Sequence, residues 1–212
     1  MDERVPDAGH YDATYLSNGR PFSLAAQLTA INAVAPRSVL EVGVGTGICA
    51  HALRRTGVAV TTLDIQAELE PDIVGDVRSI PAGDGAFDVS SCCQVLEHLP
   101  HSDLEAAVRE LARVTRRRLV LSLPDITRSL DFTVTLPVLG TRTLSCSLPV
   151  RDPSDAWKSE RLRTMGHYWE IGAFGVTAAS VARCLRGAGF ASITTIRVRE
   201  IPWHRFFIAD AA

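Results

Sequence analysis

The run Val39-Leu40-Glu41-Val42 breaks into Gly43-Val44-Gly45-Thr46-Gly47, a short apolar stretch followed by glycines at every second position. Few backbone paths use that pattern. A run of this length and hydrophobicity suits a strand buried in a parallel sheet. Glycine reaches positive φ without strain and lacks the Cβ that would hold a ligand away, so three together predict a turn that a ligand approaches closely. The segment Ile48-Cys49-Ala50-His51-Ala52-Leu53 then predicts a helix, whose first N–H groups and dipole favour a negative ligand group. A nucleotide-like site is expected on top of the first strand.

The character of the ligand follows from the glycine spacing and the nearest acids. A dinucleotide site prefers Gly-x-Gly-x-x-Gly, whereas this chain has Gly43-x-Gly45-x-Gly47. Glu41, two residues before the first glycine, would repel a diphosphate and attract an ammonium. That favours a nucleotide bearing an amino acid. A second strand, Ala59 to Leu63, ends at Asp64, where a carboxylate can accept hydrogen bonds from both ribose hydroxyls. Ile65 beside it can lie against an adenine face.

With these residues in place, and with Phe87-Asp88-Val89 leading to Leu96-Glu97-His98-Leu99, the chain resembles the class I S-adenosylmethionine-dependent methyltransferases of the type 11/23 kind. The resemblance covers roughly residues 20 to 124 and thins beyond. It implies S-adenosylmethionine as cofactor, with Glu41, Gly43, Gly45 and Gly47 around its methionine part and Asp64 and Ile65 at the ribose and adenine. Gly75-Asp76-Val77 matches the element that binds the adenine amine, so Asp76 and Val77 join the expected cofactor contacts. Gln94 and Glu97 are placed to touch cofactor or acceptor.

The fold expected is α/β, a Rossmann-like doubly wound sheet of seven strands with an antiparallel final strand and an insertion after strand five. Alternating strand and helix patterns carry this. Leu24, Leu28, Ile31 and Val34 predict a helix over Pro21 to Ala35. Pro71 and Gly75 leave little room for a helix between Asp64 and Asp76, so the second crossover is expected to be short. Then come a strand at Phe87 to Cys92, a helix at Ser102 to Thr115 opened by a Ser102-x-x-Glu105 capping box, and an apolar strand at Leu119 to Leu123. Arg116-Arg117-Arg118 is expected at a solvated helix end. A helix at Val176 to Arg186 precedes strands at Ser192 to Val198 and Arg205 to Ile208, expected as an antiparallel pair.

One domain over residues 1–212 is expected from the length, with nothing repeated. The net charge of −2 gives no broad attraction to nucleic acid or an anionic membrane. Cys49, Cys92, Cys93, Cys146 and Cys184 form no Cys-x-x-Cys pairs and look like core thiols. With no apolar run of signal-peptide or membrane-span length, a reducing cytoplasmic location is the default. Residues 1–19 form a polar cover segment in which Tyr11 and Tyr15 either fold over the cofactor or pack on the surface. Asp125 to Phe174 is too long for an ordinary loop. It is expected to hold a hairpin, Phe132 to Leu136 with Thr141 to Leu148, followed by an irregular polar cover from Val150 to Arg163. This insertion is either a substrate lid or an edge element that supports a homodimer.

Methyl transfer requires an acceptor atom in line with the sulfonium methyl, about 3 Å away, and a hydroxyl acceptor gains from a base. His98 and His167 are the candidate catalytic residues, each with a plain structural alternative in loop orientation or core hydrogen bonding. In the small-RNA terminal 2′-O-methyltransferases a Glu-x-x-Glu-His motif and a later histidine hold a divalent ion, and this chain is similar at Glu97, His98 and His167. It departs at Gln94, a neutral amide in place of the first carboxylate, and no resident metal is expected. The reading reached is methyl transfer to a small-molecule acceptor, oxygen preferred, with no nucleic-acid or membrane partner. A catalytically silent cofactor- or partner-binding module and an NAD-dependent oxidoreductase are the alternatives.

Overall fold

The computed structural model describes residues 8–11, 14–17, 19–136, 140–147 and 153–212. Parts of the expected cover segment, the hairpin tip and the stretch after the hairpin, 148–152, lie outside the described residues. Apolar runs become strands and amphipathic runs become helices in alternation: α1 (Arg20–Asn32), β1 (Ser38–Val42), α2 (Ile48–Arg55), β2 (Ala59–Asp64), β3 (Ile73–Val74), β4 (Phe87–Cys93), α3 (Leu104–Val114) and β5 (Thr115–Pro124). After these come β6 (Ser129–Leu136), β7 (Gly140–Ser147), α4 (Asp155–Met165), α5 (Ala178–Gly187), β8 (Phe190–Val198) and β9 (Ile201–Ala211).

Seven strands form one sheet in the order β3-β2-β1-β4-β5-β9-β8, and β6 pairs with β7 separately. Strands β1 to β5 pair in parallel, while β9 lies antiparallel to both β5 and β8. The expected mixed sheet with its closing antiparallel pair is therefore present. Alternate residues feed opposite faces. Leu40, Val42, Leu119, Leu121 and Phe207 pack with α3 and α5, whereas Val39, Val89, Val120 and Phe206 pack with α1 and α2. Between β2 and β3 there is only a short 3-10 turn at Ala67–Leu69, as Pro71 and Gly75 implied. Among the described residues no helix is long and apolar enough to cross a membrane.

Four local expectations need correction. Helix α3 starts at Leu104, after a 3-10 turn at His101–Asp103. The Ser102 hydroxyl donates to Asp103 and Glu105 pairs with Arg109, so the expected capping box does not form. Ser102 already lies inside the turn, where its hydroxyl cannot reach the free N–H groups of the helix. The triple arginine is not a helix end either, because β5 begins at Thr115 directly after α3. Arg116 reaches Asp88 at 2.7 Å and Arg118 reaches Asp210 at 2.6 Å, on the neighbouring strands β4 and β9.

The polar section after Val150 holds helix α4, capped by Ser154, which accepts from the Trp157 N–H, and closed by Gly166 at φ +67°. It escapes periodicity analysis because only Lys158 and Leu162 of this helix are buried. In α1 the fully buried face is Ser23, Gln27, Ala30 and Ile31, and Leu24 and Leu28 are only partly covered. Its inward face is polar in the first half because that half lines a cavity rather than packing on core.

The insertion leaves and rejoins the sheet at one point. The N–H of Ile171 donates to the Pro124 carbonyl and that of Ile126 to the Ile171 carbonyl. Its exit is bound by Asp125, fully buried and paired with Arg197 at 2.6 Å and with Arg205. This ties the mouth of the insertion to β8 and β9.

Candidate functional site

The crossovers of a doubly wound sheet diverge on either side of β1 and β4, which opens a crevice at the carboxyl ends of those strands. The glycine turn fills this place. Gly43 sits at φ +83°, and a Cβ there would stand 2.4 Å from Val95 Cγ2. Gly45, at φ +52°, would bring a Cβ to 3.3 Å from the Tyr11 ring. The turn is thus closed from both sides, by the loop after β4 and by the N-terminal segment. Tyr11 in turn stacks edge-on to Tyr15 with ring centroids 5.0 Å apart.

Two cavities meet here, sharing Gly43 and Gln94 in their linings. The first, of about 600 Å³, is lined by Asp64, Ile65, Asp76, Val77, Val95 and His98 among others. Asp64 accepts from the Val44 N–H at 2.8 Å and from the Gln66 N–H at 3.0 Å, which fixes its carboxylate across the cavity floor. A carboxylate has about four acceptor positions, so two bonds leave capacity for ligand hydroxyls. Ile65 is 53% exposed at the rim. Asp76 takes a two-pronged contact from Arg78, whose hydrogen bonds hold its carboxyl below the usual carboxylate range. Gln94 adopts φ +57° and donates to the Ser122 hydroxyl.

The second cavity, of about 500 Å³, lies under α1 and includes Arg20, Ser23, Gln27, Glu41 and His204 in its lining. Glu41 is buried, and its Oε2 has no hydrogen-bond partner among the described residues. Burial pushes its carboxyl up to about 7, against the pull of bonds from Cys49 and the Ala50 N–H. Arg20 donates to the Tyr15 hydroxyl and lies over its ring. His204 shares a 2.8 Å hydrogen bond with Ser23, and burial, with Arg20 adding, pushes it down to about 3. A carboxylate and a guanidinium line one small cavity, a match for the ammonium and carboxylate of an α-amino acid.

A third group forms where the insertion returns. The Tyr168 N–H donates to the Glu97 carbonyl and the Trp169 indole N–H to the Leu99 carbonyl, so residues 166–171 clamp the loop after β4. His98 and His167 come together with ring centroids 4.9 Å apart and planes at 80°. His98 Nδ1 bonds the Gly166 carbonyl and His167 Nδ1 bonds Glu170 at 2.7 Å, while Glu170 also takes Arg161. His98 lines the first cavity; His167 is buried against it and is not part of that lining. Burial, with the charge of Glu170 adding, pushes the Glu97 carboxyl up to about 8.

The structure brings Glu41, Gly43, Gly45, Asp64, Ile65, Asp76, Val77, Gln94 and His98 to the rims and floors of these two cavities, while Gly47 lines neither and stands at the start of α2. Arg20, Ser23, His204 and Glu170 are absent from the sequence reading. Arg20 and Ser23 had a signal, the polar face of α1, and Glu170 had another, its helical-turn spacing from His167. His204 had none, since a histidine inside an aromatic strand reads as core.

A family model described as a methyltransferase domain matches residues 40–121. The chain is 34% identical over 97 residues to a ubiquinone biosynthesis O-methyltransferase of Sodalis glossinidius, covering 38% of this chain and 37% of that protein. To one of the same name from Xanthomonas oryzae pv. oryzae it is 30% identical over 126 residues, 52% of each chain. The matches thus span about half, or less, of these relatives' length. Among solved structures, the fold is similar to that of the Burkholderia thailandensis 1,6-didemethyltoxoflavin-N1-methyltransferase with its acceptor and S-adenosylhomocysteine bound. The TM-score there is 0.59 at 15% identity, covering 94% of this chain and 81% of that one.

Proposed function

We propose that this chain, a class I methyltransferase domain in fold, binds S-adenosylmethionine across its two joined cavities and transfers the methyl group to a small organic acceptor, oxygen preferred. One observation carries the reading: an adenosine-type cavity with Asp64 and Asp76 adjoins an amino-acid-type cavity with Glu41 and Arg20, and the two meet at Gly43 and Gln94. No dinucleotide combines those ends. The names of the partial relatives favour oxygen.

The acceptor lone pair attacks the methyl carbon in line with the C–S bond, whose electron pair passes to sulfur and leaves S-adenosylhomocysteine. Placement supplies much of the rate. A hydroxyl must also lose its proton, and that loss is assisted on the His98 side of the first cavity. Since a carbonyl only accepts, His98 Nδ1 donates to Gly166, and the ring when neutral keeps its lone pair on Nε2.

Calorimetric titration with S-adenosylhomocysteine is expected to show one site per chain, and Asp64→Ala to weaken it about 30-fold or more, the loss of two hydrogen bonds to a charged group. No binding at millimolar ligand would end the proposal. Displacement of the ligand by NAD would favour an oxidoreductase instead, and tight binding without turnover over a broad phenol and carboxylate panel would favour the silent module.

A further inference from the structure

We infer that Arg78 is a positioning residue that sets the purine selectivity of the first cavity: it holds Asp76 as a fixed, acceptor-only carboxylate, so that the cavity takes a 6-aminopurine and rejects a 6-oxopurine. The inference rests on the cofactor reading proposed above and names a residue through which that site chooses its base. Arg78 itself lines neither cavity, whereas Asp76 lines the first.

The geometry of the pair carries the argument. The Arg78 backbone N–H donates to Asp76 Oδ1 at 2.8 Å, Nε stands 3.0 Å from Oδ1 and 3.1 Å from Oδ2, and Nη2 donates to Oδ2 at 2.6 Å. Three N–H groups of one residue thus bind both oxygens and stop the carboxylate from turning about its own bond. A planar guanidinium can do this, and the point charge of an ammonium cannot. An ionised carboxylate has about four acceptor positions and no proton to give, so about one position is left, and it takes a donor. Arg78 also keeps the group ionised, since its hydrogen bonds hold the carboxyl below the usual carboxylate range. An exocyclic amine on the ligand satisfies the open position. A carbonyl oxygen in the same place meets a negative charge with no hydrogen between them.

The remaining nitrogen fixes the arginine. Nη1 donates to Asp103 Oδ2 at 2.5 Å, and Asp103, which also accepts from the Ser102 hydroxyl, ends the 3-10 turn that precedes α3. That turn follows Leu99, which lines the same cavity. One guanidinium therefore joins the acid after β3 to the loop after β4. The three side chains are between 28% and 40% exposed, and ion pairs that exposed add little to folding. Orientation of Asp76 is what the bridge supplies.

The test compares S-adenosylhomocysteine with S-inosylhomocysteine, its 6-oxo counterpart, by calorimetric titration. The parent chain is expected to prefer the amino ligand about 100-fold or more, because a site built to accept a hydrogen bond rejects an analogue that cannot donate it. Arg78→Ala is expected to lose about tenfold in affinity for S-adenosylhomocysteine and to bind the 6-oxo ligand no worse, so that the preference shrinks about tenfold. Arg78→Lys, which keeps the charge and loses the fork, should recover about threefold of that loss. Asp103→Asn leaves the contact with Asp76 in place and should shift the preference in the same direction by about threefold or less. The melting temperature of Arg78→Ala is expected within about 3 °C of the parent. A parent without preference, or an Arg78→Ala variant that weakens both ligands alike or keeps the full preference, would overturn the inference and leave the cofactor reading standing. Binding of neither ligand by the parent would overturn both.

Discussion

Asp125→Ala is expected to destabilise the fold by about 3–5 kcal/mol at neutral pH, the usual cost of removing one partner from a buried ion group, and to lower the melting temperature by roughly 10 °C. Asp125 has no exposed side-chain surface, and Arg197 and Arg205, which it pairs, are 10% and 20% exposed. Its loss removes the one carboxylate that the two guanidinium groups share. Burial alone would raise the Asp125 pKa, but the bonds from Arg197, Thr127 and Arg205 together hold it below its ordinary value. The stabilisation is therefore present above the unfolded carboxylate range, near pH 4, and is lost as pH falls through the lowered folded value. Thermal melts at pH 7 and pH 3 should show the gap between parent and variant shrinking with acid. A gap independent of pH, or one below about 1 kcal/mol, would show that the ion group does not hold the insertion to the sheet.

The second large effect separates stability from binding. Glu41→Gln is expected to be the more stable protein at pH 8 and the poorer binder of S-adenosylhomocysteine. The folded carboxyl titrates near 7 and the unfolded one near 4.5, so between those values the folded chain holds a proton that the unfolded chain has lost. Stability thus falls as pH rises through that window, by about 3 kcal/mol in all at 1.36 kcal/mol per unit. The glutamine variant escapes this loss. It should match the parent at pH 4 and melt roughly 5–10 °C higher at pH 8. Without the carboxylate the ligand ammonium loses a charge-assisted bond, a fall of about 10- to 100-fold in affinity. Denaturation at both pH values and calorimetry decide the matter; a variant no more stable at pH 8, with unchanged affinity, would remove Glu41 from the cofactor site.

Much of this was legible in the residues. Val39 to Val42 must be a buried strand, and Gly43, Gly45 and Gly47 must turn, because hydrophobic run length and Cβ sterics are local properties. The same holds for the short connection at Pro71. A local signal misleads where a neighbour in space competes with it. Ser102 and Glu105 are correctly spaced for a cap, yet the chain after Pro100 turns too tightly to use it. Arg116 to Arg118 look like a helix end until Asp88 and Asp210 arrive from other strands. Helix α4 leaves no periodic signal, since it buries only Lys158 and Leu162 and shows no apolar stripe.

For this protein the sequence by itself determined the sheet, the glycine turn and the acids around it, all set by patterns spanning a few residues. Only the tertiary structure decided that Arg20 and Glu41 line one cavity, and that Glu97, His98, His167 and Glu170 converge where the insertion returns. Those groups lie far apart along the chain, and local hydropathy and spacing carry no information about such contacts. They are set by where α1 packs, and by the point beside β5 at which the insertion leaves and rejoins the sheet.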